Sequence, residues 1–315
     1  MQSNTRISIV IPTRNSAAHI HETIQSVASL SRQCEWLQIV IIDDGSQDTT
    51  LTVAQTALAE FPSVSHTVIE LAKNVGQSAA TSIGFSHARG DIVVSLDDDL
   101  QYPVEEIPKL IDALTDDLDF VVGAPQTYAN SGIRRIASRL VRWLGNRVFG
   151  TPQGFIFSSF VACQIHFLAR LDLRTQPIDR IGWMYAHTKR YRNVTVTMTA
   201  GLRAPSNYRL SDLFHVAKPV LAPIVVAVCR ISRWFAASVA AVGLVLSMRY
   251  LYLSVFDQLL PGFPTVAVLL LLNIALSAIT FSLVLSVRAR SIESGQTQVF
   301  LAERRVYHYQ DDGRS

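Results

Sequence analysis

Three consecutive carboxylates, Asp97, Asp98 and Asp99, close an apolar, β-branched run that begins at Gly90, and Gln101 follows two residues later. Acids clustered at the end of a buried strand repel one another and desolvate poorly unless a cation neutralises them. Side chains of a strand alternate between its faces, so Asp97, Asp99 and Gln101 are expected on one side and Asp98 on the other. Three oxygen-bearing side chains facing one way suit a hard divalent ion, Mg2+ or Mn2+, which keeps coordination positions open for substrate phosphates. A solvated acidic turn is the alternative reading of three adjacent acids, and their place after a buried strand weighs against it.

Such acids need a scaffold, and the flanking sequence supplies one. Ile7–Ile11 (ended by Pro12), Leu37–Ile42 (ended by Asp43-Asp44-Gly45-Ser46), Val68–Leu71 and Ile92–Leu96 read as strands. Helical patterns over Ala17–Leu30, Thr49–Glu60 and Gly76–His87 separate them. Strands alternating with helices predict an α/β fold, a mostly parallel sheet flanked by helices. Ligands of such sheets bind beyond the carboxyl ends of the strands, where Pro12, Asp43, Asp44, Asp97 and Asp99 all fall. No GxGxxG follows the first strand and no GxxxxGK[ST] loop occurs, so the site is expected to rest on acids and a metal rather than a glycine cradle. Further on, Val104–Leu114 reads as a helix, Phe120–Val122 as a strand, and Arg134–Phe149 as an amphipathic helix carrying Arg134, Arg135, Arg139, Arg142 and Arg147. That basic helix is either a solvated face or an electropositive flank for phosphate oxygens or anionic headgroups.

The chain has 315 residues, of which 49% are hydrophobic, and a mean hydropathy of +0.25, high for a water-exposed protein. The excess is concentrated in residues 216–290. Phe235–Phe256 and Phe263–Val287 are each long enough to cross a hydrocarbon core, which needs roughly 20 apolar residues. Lys218, Arg230 and Arg233 precede the first span, and Arg288, Arg290, Arg304 and Arg305 follow the second, whereas the connection Asp257–Gly262 has no Lys or Arg. The positive-inside rule then places both flanks in the cytoplasm. Arg249, inside the first span, is expected to snorkel or to face the partner helix. Ala217–Cys229 is expected to lie along the interface. A formal net charge of +3, with no basic stripe interleaved with aromatics, excludes nucleic acid as a partner class. Cys34, Cys163 and Cys229 are isolated and read as reduced thiols, with no disulfide framework and no zinc spacing. No signal peptide is expected at the polar N-terminus.

Four stretches together resemble family 2 glycosyltransferases: Ser8-Ile9-Val10-Ile11-Pro12-Thr13-Arg14-Asn15, Ile42-Asp43-Asp44-Gly45-Ser46-Gln47-Asp48-Thr49, Asn74-Val75-Gly76-Gln77, and Leu96-Asp97-Asp98-Asp99-Leu100-Gln101-Tyr102-Pro103. With two C-terminal spans and Pro261-Gly262 between them, the chain is similar to the polyisoprenyl-phosphate subgroup. The resemblance implies a GT-A-type domain over 1–215, a juxtamembrane segment over 216–233, a two-helix transmembrane hairpin over 234–288 and a cytoplasmic tail over 289–315. It implies an integral protein of a bacterial-type inner membrane whose catalytic domain and termini are cytoplasmic, with room for self-association through the spans. The implied reaction is inverting transfer of one sugar from a nucleotide-sugar donor to a polyprenyl phosphate.

The resemblance also assigns roles. Asp43 and Asp44, with Pro12, Arg14 and Asp98, would bind the nucleotide sugar; carboxylates accept from imide N–H and ribose hydroxyls. Asp97 and Asp99 would be the catalytic acids and, with Gln101, the ligands of Mg2+ or Mn2+. Arg134, Arg139, Arg203 and Ser206 would hold the acceptor phosphate, to which the guanidinium fork is suited. The region Arg203-Ala204-Pro205-Ser206-Asn207-Tyr208 is shorter than its counterpart in the family and lacks a Gly. An Arg after a Ser-Phe pair is absent, since Val161 follows Ser158-Ser159-Phe160, and no general base stands out. A phosphate monoester, with a second pKa near ~6, needs none to attack. Two other readings stay open: transfer to a lipid or polysaccharide hydroxyl, which would require a base, and a catalytically silent membrane scaffold.

Overall fold

The computed structural model describes residues 5–125, 146, 150–171, 184–185, 187–199, 201–202, scattered positions between 234 and 281, and 303–309. The chain divides into two compact units, Met1–His215 with Gly295–Ser315, and Val216–Ser294.

In the first unit the apolar runs become strands β1 (Arg6–Thr13), β2 (Trp36–Asp43), β3 (Ser65–Leu71) and β4 (Ile92–Ser95). Residues 7–13 of β1 are all buried, as expected of a central parallel strand covered on both faces. Helices α1 (Ile20–Ala28), α2 (Thr50–Ala59) and α3 (Gln77–Ser86) are the crossovers. A 3-10 turn at Val104–Glu106 leads into α4 (Ile107–Ala113), with Pro108 in its first turn, where a missing N–H costs nothing. Then come β5 (Phe120–Pro125), β6 (Val161–Gln164), α5 (Ile165–Arg170), β7 (Tyr191–Val196) and β8 (Glu303–Tyr309).

The eight strands form one sheet in the order β7-β5-β6-β4-β1-β2-β3-β8. Pairings β1/β2, β1/β4, β2/β3 and β5/β7 are parallel; β4/β6, β5/β6 and β3/β8 are antiparallel. The period-2 alternation splits the core into two layers. Ile7, Ile9, Ile11, Ile39 and Ile41 pack beneath α1, α2 and α4 on one face, and Val10, Val40 and Ile42 pack beneath α3 on the other. Cys34 and Cys163 are free thiols, the latter buried.

Two features depart from the sequence-based expectation. Residues 289–315, expected as a tail, supply β8, which runs antiparallel along β3 from His66↔Tyr309 to Leu71↔Glu303. Val306 of that strand packs against the inner core layer, and alternating residues Arg305 and Tyr307 are exposed. The acids, for their part, do not lie on β4. The strand ends at Ser95, and Asp97–Gln101 occupy the turn that follows.

Among the described residues, no helix is long and apolar enough to cross a membrane. The expected spans fall for the most part outside the described residues. The positions described between 234 and 281 are helical, and large apolar side chains there are open: Trp234, Val242, Leu244, Val245, Met248, Tyr252 and Phe281 are all more than half exposed.

Candidate active site

The chain builds β1, β2 and β3 outwards in one direction and then places β4 on the other side of β1. Strand order therefore reverses at β1, and the carboxyl ends of β1 and β4 are the position at which parallel α/β sheets bind ligands. Pro12 and Thr13 end β1, Asp43 ends β2, and the acid turn follows β4.

The loops after β1 and β2 are laced together. The Asn15 N–H donates to Ser46 Oγ at 2.9 Å, and the Gln47 N–H donates to Asn15 Oδ1 at 2.9 Å. The Asp44 N–H reaches the Thr13 carbonyl at 2.9 Å. Asp44 in turn holds the loop after β3: Oδ1 accepts from the Val75 N–H at 2.6 Å and Oδ2 from the Gly76 N–H at 3.0 Å. Gly45 permits this approach. Its φ is +65°, and a Cβ there would lie 2.9 Å from the Asn74 nitrogen. Asp43 accepts from the N–H of Ser46 at 3.2 Å and from its hydroxyl.

Both carboxyls are buried, and burial pushes both pKa values above the ordinary carboxylate range. Hydrogen bonds from Ser46 oppose the shift at Asp43, while the nearby Glu70 and Asp48 charges add to it. At Asp44 the Val75 and Gly76 amides and the Arg14 guanidinium oppose the shift. Arg14 is thus close enough to Asp44 for its charge to be felt, which places it on the same rim.

On the acid turn the three carboxylates have different surroundings. Asp97 is partly exposed; Oδ1 accepts from Gln77 Nε2 at 2.5 Å and Oδ2 from Ser159 Oγ at 2.5 Å. Asp98 is buried and accepts at Oδ2 from the hydroxyls of Thr13, at 2.8 Å, and of Ser16. His19 Nε2 lies 3.9 Å from the other oxygen of Asp98, and Thr23 Oγ1 donates to its carbonyl at 2.7 Å. Asp98 thereby ties the β1–α1 loop to the acid turn. Asp99 is buried and accepts from the Gln101 N–H at 3.2 Å. Between them Leu100 has φ 52°, a left-handed conformation costing roughly 1–2 kcal/mol for a residue with a Cβ. A turn with this kink, rather than the alternation of a strand, sets where Asp99 and Gln101 point.

Pro12, Arg14, Asp43, Asp44, Asp97, Asp98, Asp99 and Gln101 are thus gathered at one edge of the sheet. Arg134, Arg139, Arg203 and Ser206, expected to hold an acceptor phosphate, lie outside the described residues. Gln77, Ser159, Thr13 and Ser16 support the acids without having been singled out for that role in the sequence. Each lies in or beside a motif stretch, but only the fold brings Ser159 back to Asp97 over 62 residues.

The donor chemistry of the acid turn fits a hard divalent cation. Carboxylates of Asp97 and Asp99 with the Gln101 amide are all-oxygen ligands whose two negative charges balance a 2+ ion. Among the described residues, no group of three His, Cys, Asp or Glu side chains is arranged to hold a metal. A cation on this turn would therefore draw its remaining oxygens from Gln101, water or the donor itself.

The chain is 38% identical over 150 residues to the undecaprenyl-phosphate 4-deoxy-4-formamido-L-arabinose transferase of Sodalis glossinidius (strain morsitans), covering 47% of this chain and 46% of that one. It is 37% identical over 145 residues to the transferase of the same name from Edwardsiella ictaluri (strain 93-146), covering 46% and 44%. The match thus spans about half the length of these curated relatives. Among solved structures, glucosyl-3-phosphoglycerate synthase from Mycobacterium tuberculosis, in complex with Mn2+, uridine diphosphate and glucosyl-3-phosphoglycerate, superposes with a TM-score of 0.48 at 20% identity, covering 70% of this chain and 79% of that one. The sequence profile described as Glycosyl transferase family 2 matches residues 8–170, just over half of the chain and the segment that carries every acid of the site. The chain belongs to glycosyltransferase family 2.

Proposed function

We propose that this chain transfers a single sugar from a nucleotide-sugar donor to a polyprenyl phosphate at a membrane surface, in one inverting displacement. The observation that carries the reading is the gathering of Asp43, Asp44, Asp97 and Asp99 beyond the carboxyl ends of β2 and β4, on either side of β1, in a chain whose relatives are named for undecaprenyl phosphate. In this reading the rim built by Pro12, Arg14, Asp43 and Asp44 holds the nucleotide, with Asp44 shaping the pocket through the 75–76 amides. Asp98 fixes the distance between that rim and the acid turn.

Asp97 and Asp99, with Gln101, would hold Mg2+ or Mn2+, which offsets charge on the departing diphosphate when bound. Gln77 and Ser159 keep the Asp97 carboxylate from rotating. The acceptor, a phosphate monoester largely dianionic at neutral pH, attacks the anomeric carbon without a general base. Arg134, Arg139, Arg203 and Ser206 remain the residues proposed to position it. The described chain meets the acid turn at Leu202, one residue before Arg203.

Attachment to the membrane is proposed through the two apolar segments within 234–288. Two observations support it. The large side chains described there are exposed and apolar, which suits a lipid environment. Moreover, β8 returns to pair with β3, so residues 303–309 stand on the same side of any membrane as the sheet. An even number of crossings between the two attachments follows, as a hairpin provides and a single anchor does not. The domain and both termini would then be cytoplasmic.

The test is direct. Membranes holding the wild-type chain, incubated with a panel of nucleotide sugars, undecaprenyl phosphate and Mg2+ or Mn2+, should form a lipid-linked sugar. Asp97→Asn and Asp99→Asn should each lower that rate by about a hundredfold or more, as expected when charge stabilisation of a leaving group is removed. Unchanged turnover in both variants would overturn the assignment.

A further inference from the structure

The acid turn does not hold its shape unaided. Three consecutive carbonyls, of Asp99, Leu100 and Gln101, flank the left-handed Leu100, and all three accept hydrogen bonds from one distant segment. The Leu202 N–H donates to the Asp99 carbonyl at 2.6 Å, and the Thr199 N–H donates to that of Gln101 at 2.9 Å. Thr199 Oγ1 donates to the Leu100 carbonyl at 3.0 Å. Gly201 sits inside this contact with φ +73°, and a Cβ at that position would lie 2.6 Å from Gln101 Cγ and 3.2 Å from the Asp99 carbonyl oxygen. Glycine is therefore required there twice, once for its backbone conformation and once for the space that Gln101 and Asp99 occupy.

We propose that Thr199, Gly201 and Leu202 form a bracket that sets the acid turn in its metal-binding shape, with Gly201 as its positioning residue. This rests on the reading of Asp97, Asp99 and Gln101 as metal ligands and extends it to a segment that carries no ligand. The physical argument is one of preorganisation. An unbraced turn would relax Leu100 out of its left-handed conformation and break the hydrogen bond from the Gln101 backbone N–H to Asp99 Oδ1. The bracket begins just past β7, so the far side of the domain, not the β4 loop alone, determines the affinity of the site.

The full-length chain in detergent would be titrated with Mn2+ in the presence of UDP, with GDP as a second nucleotide, and free Mn2+ read by electron paramagnetic resonance. Gly201→Ala should raise the Mn2+ dissociation constant by about tenfold or more, while nucleotide binding with the metal chelated away stays at the wild-type value. Gly150→Ala is the control: it has φ +61° as well, but its Cβ would meet only the end of Lys189, so Mn2+ affinity should not change. If Gly201→Ala does not fold, Thr199→Val decides by removing one hydrogen bond to the turn, with a weakening of about threefold expected. Wild-type Mn2+ affinity in the folded Gly201→Ala chain, or in Thr199→Val where the former fails to fold, would overturn the bracket. A wild-type chain that binds no Mn2+ with either nucleotide would overturn the metal reading beneath it.

Discussion

Gln77, the first residue of α3, donates its side-chain amide to Oδ1 of Asp97 at 2.5 Å, while the hydroxyl of Ser159 takes the other oxygen at the same distance. The two donors come from opposite directions, one from the crossover between β3 and β4 and one from the loop entering β6. A partly exposed carboxylate held in this way has one orientation instead of several, and a ligand fixed before binding costs less to use.

Removing that restraint has a graded outcome. Gln77→Ala should leave the fold intact, since Gln77 is exposed, and lower kcat/KM for the nucleotide sugar by about tenfold, the loss typical of a partner that orients a metal ligand. Gln77→Glu would set a like charge against Asp97 and should be worse than Gln77→Ala at neutral pH. Steady-state kinetics at varied Mn2+ would separate the two, because added metal should rescue part of the Ala loss. Equal activity of all three chains would show that Asp97 needs no such restraint.

Asp44 acts on a different scale. Its two oxygens accept from successive backbone amides of the 75–76 loop, and Asp44 is 4% exposed. Asp44→Ala leaves the half-buried Val75 N–H without its acceptor, while the Gly76 N–H keeps Asn74 Oδ1 at 2.9 Å, so the cost is about 1 kcal/mol, the low end for a lost hydrogen bond. Thermal denaturation should show a clear fall in Tm. Asp44→Asn keeps one acceptor oxygen and should fall between wild type and Ala. Donor affinity should weaken in the same order, measured by titration with the nucleotide.

The parts of this architecture that are readable in the residues differ from those that are not for physical reasons. Strands β1 to β4 and their crossover helices follow from local periodicity, and the gathering of Asp43, Asp44, Asp97 and Asp99 follows from the rule that parallel strands carry their sites at one edge. Asp97 to Gln101 leave the extended strand because β4 ends at Ser95, and the left-handed Leu100, a conformation Leu rarely signals, then turns the chain between Asp99 and Gln101. Supports such as Ser159 on Asp97 or Leu202 on Asp99 depend on long-range closure that no local pattern encodes. Strand β8 was likewise hidden. Arg304 and Arg305 read as positive flanking charges, and the alternation that exposes Arg305 and Tyr307 while packing Val306 against the core spans too few residues to stand out.

The burial of Asp43 and Asp44 makes a pH prediction with opposite signs for binding and for stability. A carboxyl whose folded-state pKa is raised holds its proton more tightly in the folded chain than in the unfolded one. Its contribution to stability is therefore most favourable below the ordinary carboxylate pKa and declines as pH rises through the raised value. Accepting hydrogen bonds from a nucleotide is best done by the ionised form, so donor affinity should change the other way, weakening as pH falls through that raised value. Nucleotide titrations and Tm measurements on wild type and Asp43→Asn across the acid range would read both. The stability of Asp43→Asn should gain on wild type as pH rises, and its nucleotide affinity should lose the Asp43 share of the acid limb while the Asp44 share stays. A wild-type acid limb at the ordinary carboxylate pKa would contradict the burial argument.

The return of the chain to β3 constrains the proposed membrane segment most sharply. Register from His66↔Tyr309 to Leu71↔Glu303 leaves no freedom for residues 303–309 to be on the far side of a bilayer from the sheet. With Cys34, Cys163 and Cys229 replaced by Ala or Ser, a cysteine at Gln258 and one at Ser315 should behave oppositely towards a membrane-impermeant maleimide. In intact cells stripped of their outer barrier, Gln258→Cys should label at once, whereas Ser315→Cys should label only after permeabilisation. Lys and Arg are absent from Asp257–Gly262 and frequent on both flanks, which favours that orientation over its inverse. Protection of Gln258→Cys together with Ser315→Cys would exclude a spanning hairpin and leave the apolar segments lying along one face. Labelling of both from outside would mean either that β8 leaves β3 or that the sheet itself lies outside, and protease resistance of residues 303–309 separates the two, since an unpaired β3 edge and a loose strand are both readily cut.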